Sequence, residues 1–162
     1  MSIQEDLKQQ AIEYGLCEQW QREWGNPTIA DLCDKFIRGI DFCIKHNYPT
    51  IAYLDKHFRG QVEQYGIYIN EGADSKGQAF VVANGDSTID VYAPIFCDIY
   101  ARHNSHIRLY ASADAFVYVS MYDNCTLEIM NKGQGAKICV SLFGGIITNE
   151  DMITKLYRKS KQ

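Results

Sequence analysis

A five-residue segment returns along the second half of this chain, and the spacing of its copies restricts the fold more than any other feature. Ile89-Asp90-Val91-Tyr92-Ala93 is followed eighteen residues later by Ile107-Arg108-Leu109-Tyr110-Ala111, and twenty residues further on by Leu127-Glu128-Ile129-Met130-Asn131. A second series interleaves with the first. Ala79-Phe80-Val81-Val82-Ala83 leads by steps of eighteen to Cys97-Asp98-Ile99-Tyr100-Ala101 and Ala115-Phe116-Val117-Tyr118-Val119, then by twenty-one to Ala136-Lys137-Ile138-Cys139-Val140. The corners between them, Gly85-Asp86, His103-Asn104, Asp123-Asn124 and Gly144-Gly145, use residues that tolerate the left-handed backbone of a tight turn. Alternation within each segment marks strands, and the fixed spacing marks a repeat architecture. Two strands and two corners per coil describe a β-solenoid whose equivalent strands pair in parallel, about 4.8 Å apart.

The alternation assigns faces. Ile89, Ile107 and Leu127 stack inward from one sheet beside Val91, Leu109 and Ile129. From the other sheet come Val81, Ile99, Val117 and Ile138, beside Ala83, Ala101, Val119 and Val140. Outward, Asp90, Arg108 and Glu128 read minus, plus, minus, a pattern that favours pairing between neighbouring strands. Next to them run Tyr92, Tyr110 and Met130, and on the opposite sheet Tyr100, Tyr118 and Cys139. Four of the chain's eleven tyrosines thus fall into two expected surface strips.

Upstream the period is helical. Ser2-Ile3-Gln4-Glu5 fits a capping box, in which a hydroxyl and a Glu three residues later satisfy otherwise unpaired N–H groups. Leu7, Ala11 and Tyr14 follow on one stripe, and Gly15 ends it. Leu16, Trp20 and Trp24 mark a second short helix. Thr28 opens a third, carrying Ile29, Leu32, Phe36, Ile37, Ile40 and Cys43 or Phe42, and Thr50 opens a fourth with Ile51, Leu54 and Phe58. Ile67-Tyr68-Ile69 reads as a strand and residues 71–77 as a polar loop. The expected organisation is α+β: a helical head over residues 1–66, a short solenoid over 67–154, and a basic tail over 155–162. Residues 146–157 offer a last strand or a cover for the far end of the coils.

Charge and motifs exclude more than they select. Twenty acidic against sixteen basic side chains argue against general nucleic-acid binding, and no apolar run is long enough to span a membrane. The tail concentrates Lys155, Arg158, Lys159 and Lys161. Met1-Ser2-Ile3-Gln4-Glu5-Asp6 lacks the basic and apolar regions of a signal peptide, so a reducing cytoplasm is expected, with six free and largely buried thiols. No C-x-x-C pair, phosphate-binding loop, nucleophile elbow or zincin motif occurs. Gly133-Gln134-Gly135 reads as a corner. No cofactor or metal is expected. Arg102, His103 and His106 cluster at another corner, where a facing carboxylate would permit acid–base chemistry. Tyr92, Tyr110, Tyr100, Tyr118 and Phe116 are the candidate binding residues, because exposed aromatics suit protein recognition.

The stretch Leu16-Cys17-Glu18-Gln19-Trp20-Gln21-Arg22-Glu23-Trp24, followed by Phe36-Ile37-Arg38-Gly39-Ile40-Asp41-Phe42-Cys43-Ile44-Lys45-His46-Asn47-Tyr48-Pro49, resembles a family of short bacterial and phage proteins. Those proteins join a helical head to a short repetitive β tail. The resemblance spans most of the chain and implies an architecture, without site residues. The repeats alone are similar in period to bactofilins, cytoskeletal β-helices that polymerise end to end, although a substantial head is not part of that pattern. Three functions follow as expectations. The first is a non-enzymatic interaction module, a protein binder that sequesters or inhibits a cellular factor, itself a possible homo-oligomer. The second is a self-assembling scaffold, and the third a small-ligand or carbohydrate-binding β-helix.

Overall fold

The structure is a computed structural model and describes residues 1–159. Lys161 of the expected tail lies outside the described residues. The chain forms two compact units, Met1–Leu54 and a second from Asp55 onward.

The first unit is helical: α1 (Ile3–Glu13), α2 (Glu18–Glu23), α3 (Ile29–Arg38), α4 (Ile40–His46) and the start of α5 (Ile51–Phe58). The α1 capping box forms, with Ser2 Oγ accepting from the Glu5 N–H at 3.1 Å. Thr28 and Asp31 build the same device at the start of α3. The long third helix expected from the apolar stripe is divided at Gly39. A Cβ there would stand 3.1 Å from the Lys35 carbonyl oxygen and 3.6 Å from the Trp20 ring, so the break makes room for the indole. Leu7, Ala11, Cys33, Ile40 and Cys43 are buried, whereas Ile29, placed on the stripe by its spacing, is exposed. Tyr48 donates its hydroxyl to the Leu7 carbonyl at 2.6 Å and Trp24 its indole N–H to that of Gln4 at 3.2 Å.

The second unit is a parallel β-solenoid of five coils and a closing strand. One sheet, sheet A, has the order β1 (Ile67–Ile69), β3 (Phe80–Asn84), β5 (Phe96–Ala101), β7 (Phe116–Met121), β9 (Lys137–Leu142) and β11 (Lys155–Arg158). Sheet B has β2 (Gly72–Asp74), β4 (Thr88–Ala93), β6 (His106–Ala111), β8 (Thr126–Lys132) and β10 (Ile146–Ile147). In sheet B the inward rows are those expected: Ile89, Ile107 and Leu127 pair in register, and all are fully buried. No helix among the described residues is long and apolar enough to cross a membrane.

Five expectations are corrected. The solenoid unit begins at Asp55 rather than Ile67. Asp55 Oδ1 accepts from Asn70 Nδ2 at 2.9 Å and the Glu63 carbonyl from Gln78 Nε2 at 2.7 Å, which ties residues 55–66 to the first coil. Gly72–Asp74, read as loop, is a strand in register with Thr88–Asp90. In sheet A, Ile99 pairs with Val119 and Cys97 with Val117, a step of twenty rather than eighteen. Only Pro94 and Ile95 separate β4 from β5, whereas Ser112 to Ala115 separate β6 from β7, and the corner absorbs the two extra residues. In sheet B a bulge after Leu109 sets Tyr110 opposite Asn131, leaving Met130 out of the row. Finally, Lys155–Arg158, placed in the basic tail, is a strand, the one that residues 146–157 offered. It forms the last strand of sheet A, Leu156 packs against the core, and the preceding Met152 and Ile153 lie over the same end.

The corners match the residue types. Gly85, His103 and Asp123 hold φ of 71°, 63° and 57° at successive levels of one corner. Small buried side chains, Ser87, Ser105 and Cys125, follow them into the core. Gly133-Gln134-Gly135 lies at the opposite corner, where the N–H of Asp114 bonds the Gln134 carbonyl at 2.9 Å.

Candidate functional site

The eight candidate residues are split among three surfaces. Tyr92, Tyr110 and His106 lie on the outer face of sheet B, Phe116, Tyr118 and Tyr100 on that of sheet A, and Arg102 and His103 at the corner between them.

Sheet B carries the most regular arrangement. Beneath the outward residues, Val91 and Leu109 are fully buried, so the platform is fixed by its core. Tyr92 and Tyr110, register partners on β4 and β6, stack with centroids 4.6 Å apart and planes inclined by 13°. The rungs of a parallel sheet impose this spacing, which is also a favourable ring contact. Arg108 holds the stack from the side. Its Nη2 donates to the Tyr110 hydroxyl at 3.4 Å, and its Nε stands 2.9 Å from Asp90 Oδ1 in ion-pair contact. Glu128, the third member of the charge row, faces His106 at 3.4 Å instead. Upstream the row extends to Asp74, the register partner of Asp90, which the sequence reading left in a loop. Desolvation first, and then Tyr110, Asp74 and Asp90, hold the Tyr92 phenol above its ordinary range.

Sheet A differs. The step of twenty sets Tyr100 opposite Ser120 and Tyr118 opposite Asp98, so the expected second tyrosine strip is broken into a diagonal. Tyr118 is hydrogen-bonded through its hydroxyl to Ser141. Tyr100 lies against Phe80, centroids 5.7 Å apart. In place of a tyrosine strip, Phe96 and Phe116 stack at 6.0 Å and 8°, and they are 60% and 40% exposed beside an exposed Ile95. Phe96 and Ile95 were missed because Phe96 falls just outside the five-residue repeat unit, though its alternation marks it as outward.

At the corner, the histidines do not assemble a catalytic pair. His103 Nδ1 accepts from the Gly85 N–H at 2.9 Å, and its own backbone N–H donates to Asp123 Oδ2 at 2.9 Å. Burial, reinforced by Arg102, pushes its imidazole down to about 4, so it is neutral at pH 7 and serves the turn. Arg102 is buried, with Nε donating to Asn84 Oδ1 at 2.8 Å. His106 belongs to sheet B and to Glu128.

The thiols are free, and five of the six are buried, Cys17 being the exposed one. Burial pushes Cys33 up to about 11 and Cys97 and Cys125 up to about 12, far from nucleophilic range. No cluster of three or more His, Cys, Asp or Glu side chains able to hold a metal occurs among the described residues. In the helical unit, Lys35 lies over Trp24 at 5.5 Å and Arg38 over Trp20 at 5.2 Å. The sequence reading passed over that pairing, although i,i+4 tryptophans facing i,i+3 cations were visible.

By its fold the chain is an α+β protein, a helical unit followed by a parallel β-solenoid. No family model, curated protein or solved structure matches it.

Proposed function

We propose that this chain is a non-enzymatic protein-interaction module whose recognition surface is the outer face of sheet B, and that it acts by occupying, and so sequestering or inhibiting, a partner. The observation that carries this reading is the Tyr92–Tyr110 stack. Two tyrosines held on a rigid ladder offer large area and polar hydroxyls with little rotamer entropy left to lose, which is the profile of binding anchors. Arg108 between Asp90 and the Tyr110 hydroxyl keeps one edge of the stack pre-arranged.

The scaffold reading, with coils joining end to end, meets an obstacle at β11. This strand pairs only with β9 among the described residues, and two of its four residues are the exposed cations Lys155 and Arg158. Charged residues on an edge strand are a common device against edge-to-edge pairing. The test of the interaction reading is the double variant Tyr92→Ala/Tyr110→Ala. Its circular dichroism and melting should stay near those of the parent, while capture of a partner from native extract is lost. Undiminished capture would remove sheet B from consideration.

A further inference from the structure

We infer that the partner segment recognised on sheet B is cationic: an arginine- or lysine-rich stretch of polypeptide laid across Tyr92 and between Asp74 and Asp90. This rests on the reading of sheet B as the recognition face and adds the chemistry of what it recognises.

Asp74 and Asp90 are register partners on adjacent parallel strands, so two carboxylates occupy neighbouring positions of one row. Like charges in that position oppose strand pairing. Arg108 compensates Asp90, but no side-chain cation lies within ion-pair distance of Asp74 among the described residues. The Asp74 carboxylate accepts the backbone N–H of Lys76, at 2.7 Å. Glu128 adds a third carboxylate, so the row holds three anions and one guanidinium, with His106 beside Glu128. Repulsion retained on a solvent face is relieved when a cation settles over it.

Tyr92 supplies the second half of the site. One face of its ring lies on Tyr110, and the side chain is still 45% exposed. β2 ends at Asp74, opposite Asp90, and Lys76 two residues on turns the chain with φ of 54°, so the row of rings stops at Tyr92. A guanidinium over an open tyrosine face gains cation–π attraction, and its planar fork can reach carboxylates alongside. Arginine therefore suits the site better than lysine. Over the whole solenoid the acidic excess is small, ten acids against seven bases in residues 67–158, so the attraction is that of the row itself.

The experiment is fluorescence anisotropy of the full chain with a labelled octapeptide of alternating arginine and serine, alongside the glutamine and glutamate versions. The arginine peptide should bind and the other two should not. Asp74→Asn and Tyr92→Ala should each weaken binding by about three- to fivefold, while Tyr92→Phe retains it and the exposed helical acid variant Asp41→Asn changes it less than twofold. Absence of arginine-peptide binding overturns the inference. So does an equal loss in Asp41→Asn, which would signal general attraction to an acidic protein, or indifference to Tyr92→Ala. A concentration-dependent dimer dissolved by Asp74→Asn would overturn it in favour of a second copy's basic strand. If the arginine peptide fails while Tyr92→Ala/Tyr110→Ala still abolishes capture from extract, the cationic inference falls and the recognition face stands. If capture also survives that variant, both fall.

Discussion

The helical unit and the solenoid are specified at opposite ranges of sequence. In residues 1–54 the interactions that define each helix are local, and the Tyr48–Leu7 and Trp24–Gln4 bonds tie the helices together. Capping boxes close over three residues, the ion pairs Arg22–Glu18 and Arg38–Asp34 span four, and none of α1 to α4 buries more than two side chains. In the solenoid each strand finds its partner fifteen to twenty-one residues away, and each inward side chain lies between one above and one below. A local device confines its failure to one helix. A ladder spreads the failure of one rung to both neighbours.

The largest effect should therefore come from a rung. Ile107 is fully buried between Ile89 and Leu127, and rungs held on both sides cannot collapse freely around a cavity. Ile107→Ala should cost about 3–4 kcal/mol by urea unfolding. A loss below about 1.5 kcal/mol would mean that the coils close up around the gap, and the contrast with the helices would weaken.

Two glycines sharpen the comparison because they share a left-handed φ and differ in surroundings. Gly15 at the end of α1 has φ of 95° and Gly145 at a solenoid corner 99°. A Cβ at Gly15 meets nothing within 4 Å, whereas one at Gly145 would lie 2.2 Å from the Cys125 carbonyl oxygen of the coil before. Gly15→Ala should cost only the left-handed strain, about 1–2 kcal/mol. Gly145→Ala adds a clash with backbone and should cost more than about 3 kcal/mol or unpair β10. Thermal melts of the two variants, recorded together, decide it. Equal losses would show that corner stacking is loose.

These contacts also explain which parts of the molecule were legible in the sequence. The inward-facing residues of both sheets and the rows of sheet B were, because burial on one face forces alternation and there the repeats align it. The Ser2 capping box was, because Ser-x-x-Glu is a four-residue motif with one physical purpose, whereas at Thr28 the cap was legible and the returning Asp31 was not. The register of sheet A was not: a slip of two residues preserves every inward and outward assignment, so alternation cannot separate eighteen from twenty. That slip dissolved the Tyr100–Tyr118 strip and created the Phe96–Phe116 stack. Met130 left its row through a bulge that hydrophobic pattern does not report. Asp74 was hidden because a three-residue strand with a glycine looks like a loop until its partner is known. The charge row was readable residue by residue, but its pairing was not, since Glu128 turned to His106 rather than Arg108.

A smaller, pH-dependent effect tests the corner. In the unfolded chain the imidazole of His103 takes a proton near 6.5, and in the folded protein only near 4. Its contribution to stability is complete above about pH 6.5 and is lost progressively as pH falls towards 4, by at most about 3 kcal/mol. His103→Asn tolerates the left-handed turn and removes the titration, so urea midpoints of parent and variant should converge as the pH drops from 7 to 4.5. A parent curve that stays parallel to the variant's would show that the ring accepts a proton without leaving its place on Gly85.

The smallest expected effect bears on the functional reading. Arg108 reaches both Asp90 and Tyr110, yet it is partly exposed, and ion pairs in that setting contribute little to folding. Arg108→Gln should leave the urea midpoint of the solenoid unmoved within measurement error, and high salt should change parent and variant alike. The same substitution removes the guanidinium that compensates Asp90, so binding of the arginine peptide should tighten where stability does not move. A substantial loss of stability would instead make the row a structural brace like the buried rungs. The contrast that singles out sheet B would then vanish, because a face occupied in holding its own coils together needs no partner to explain it.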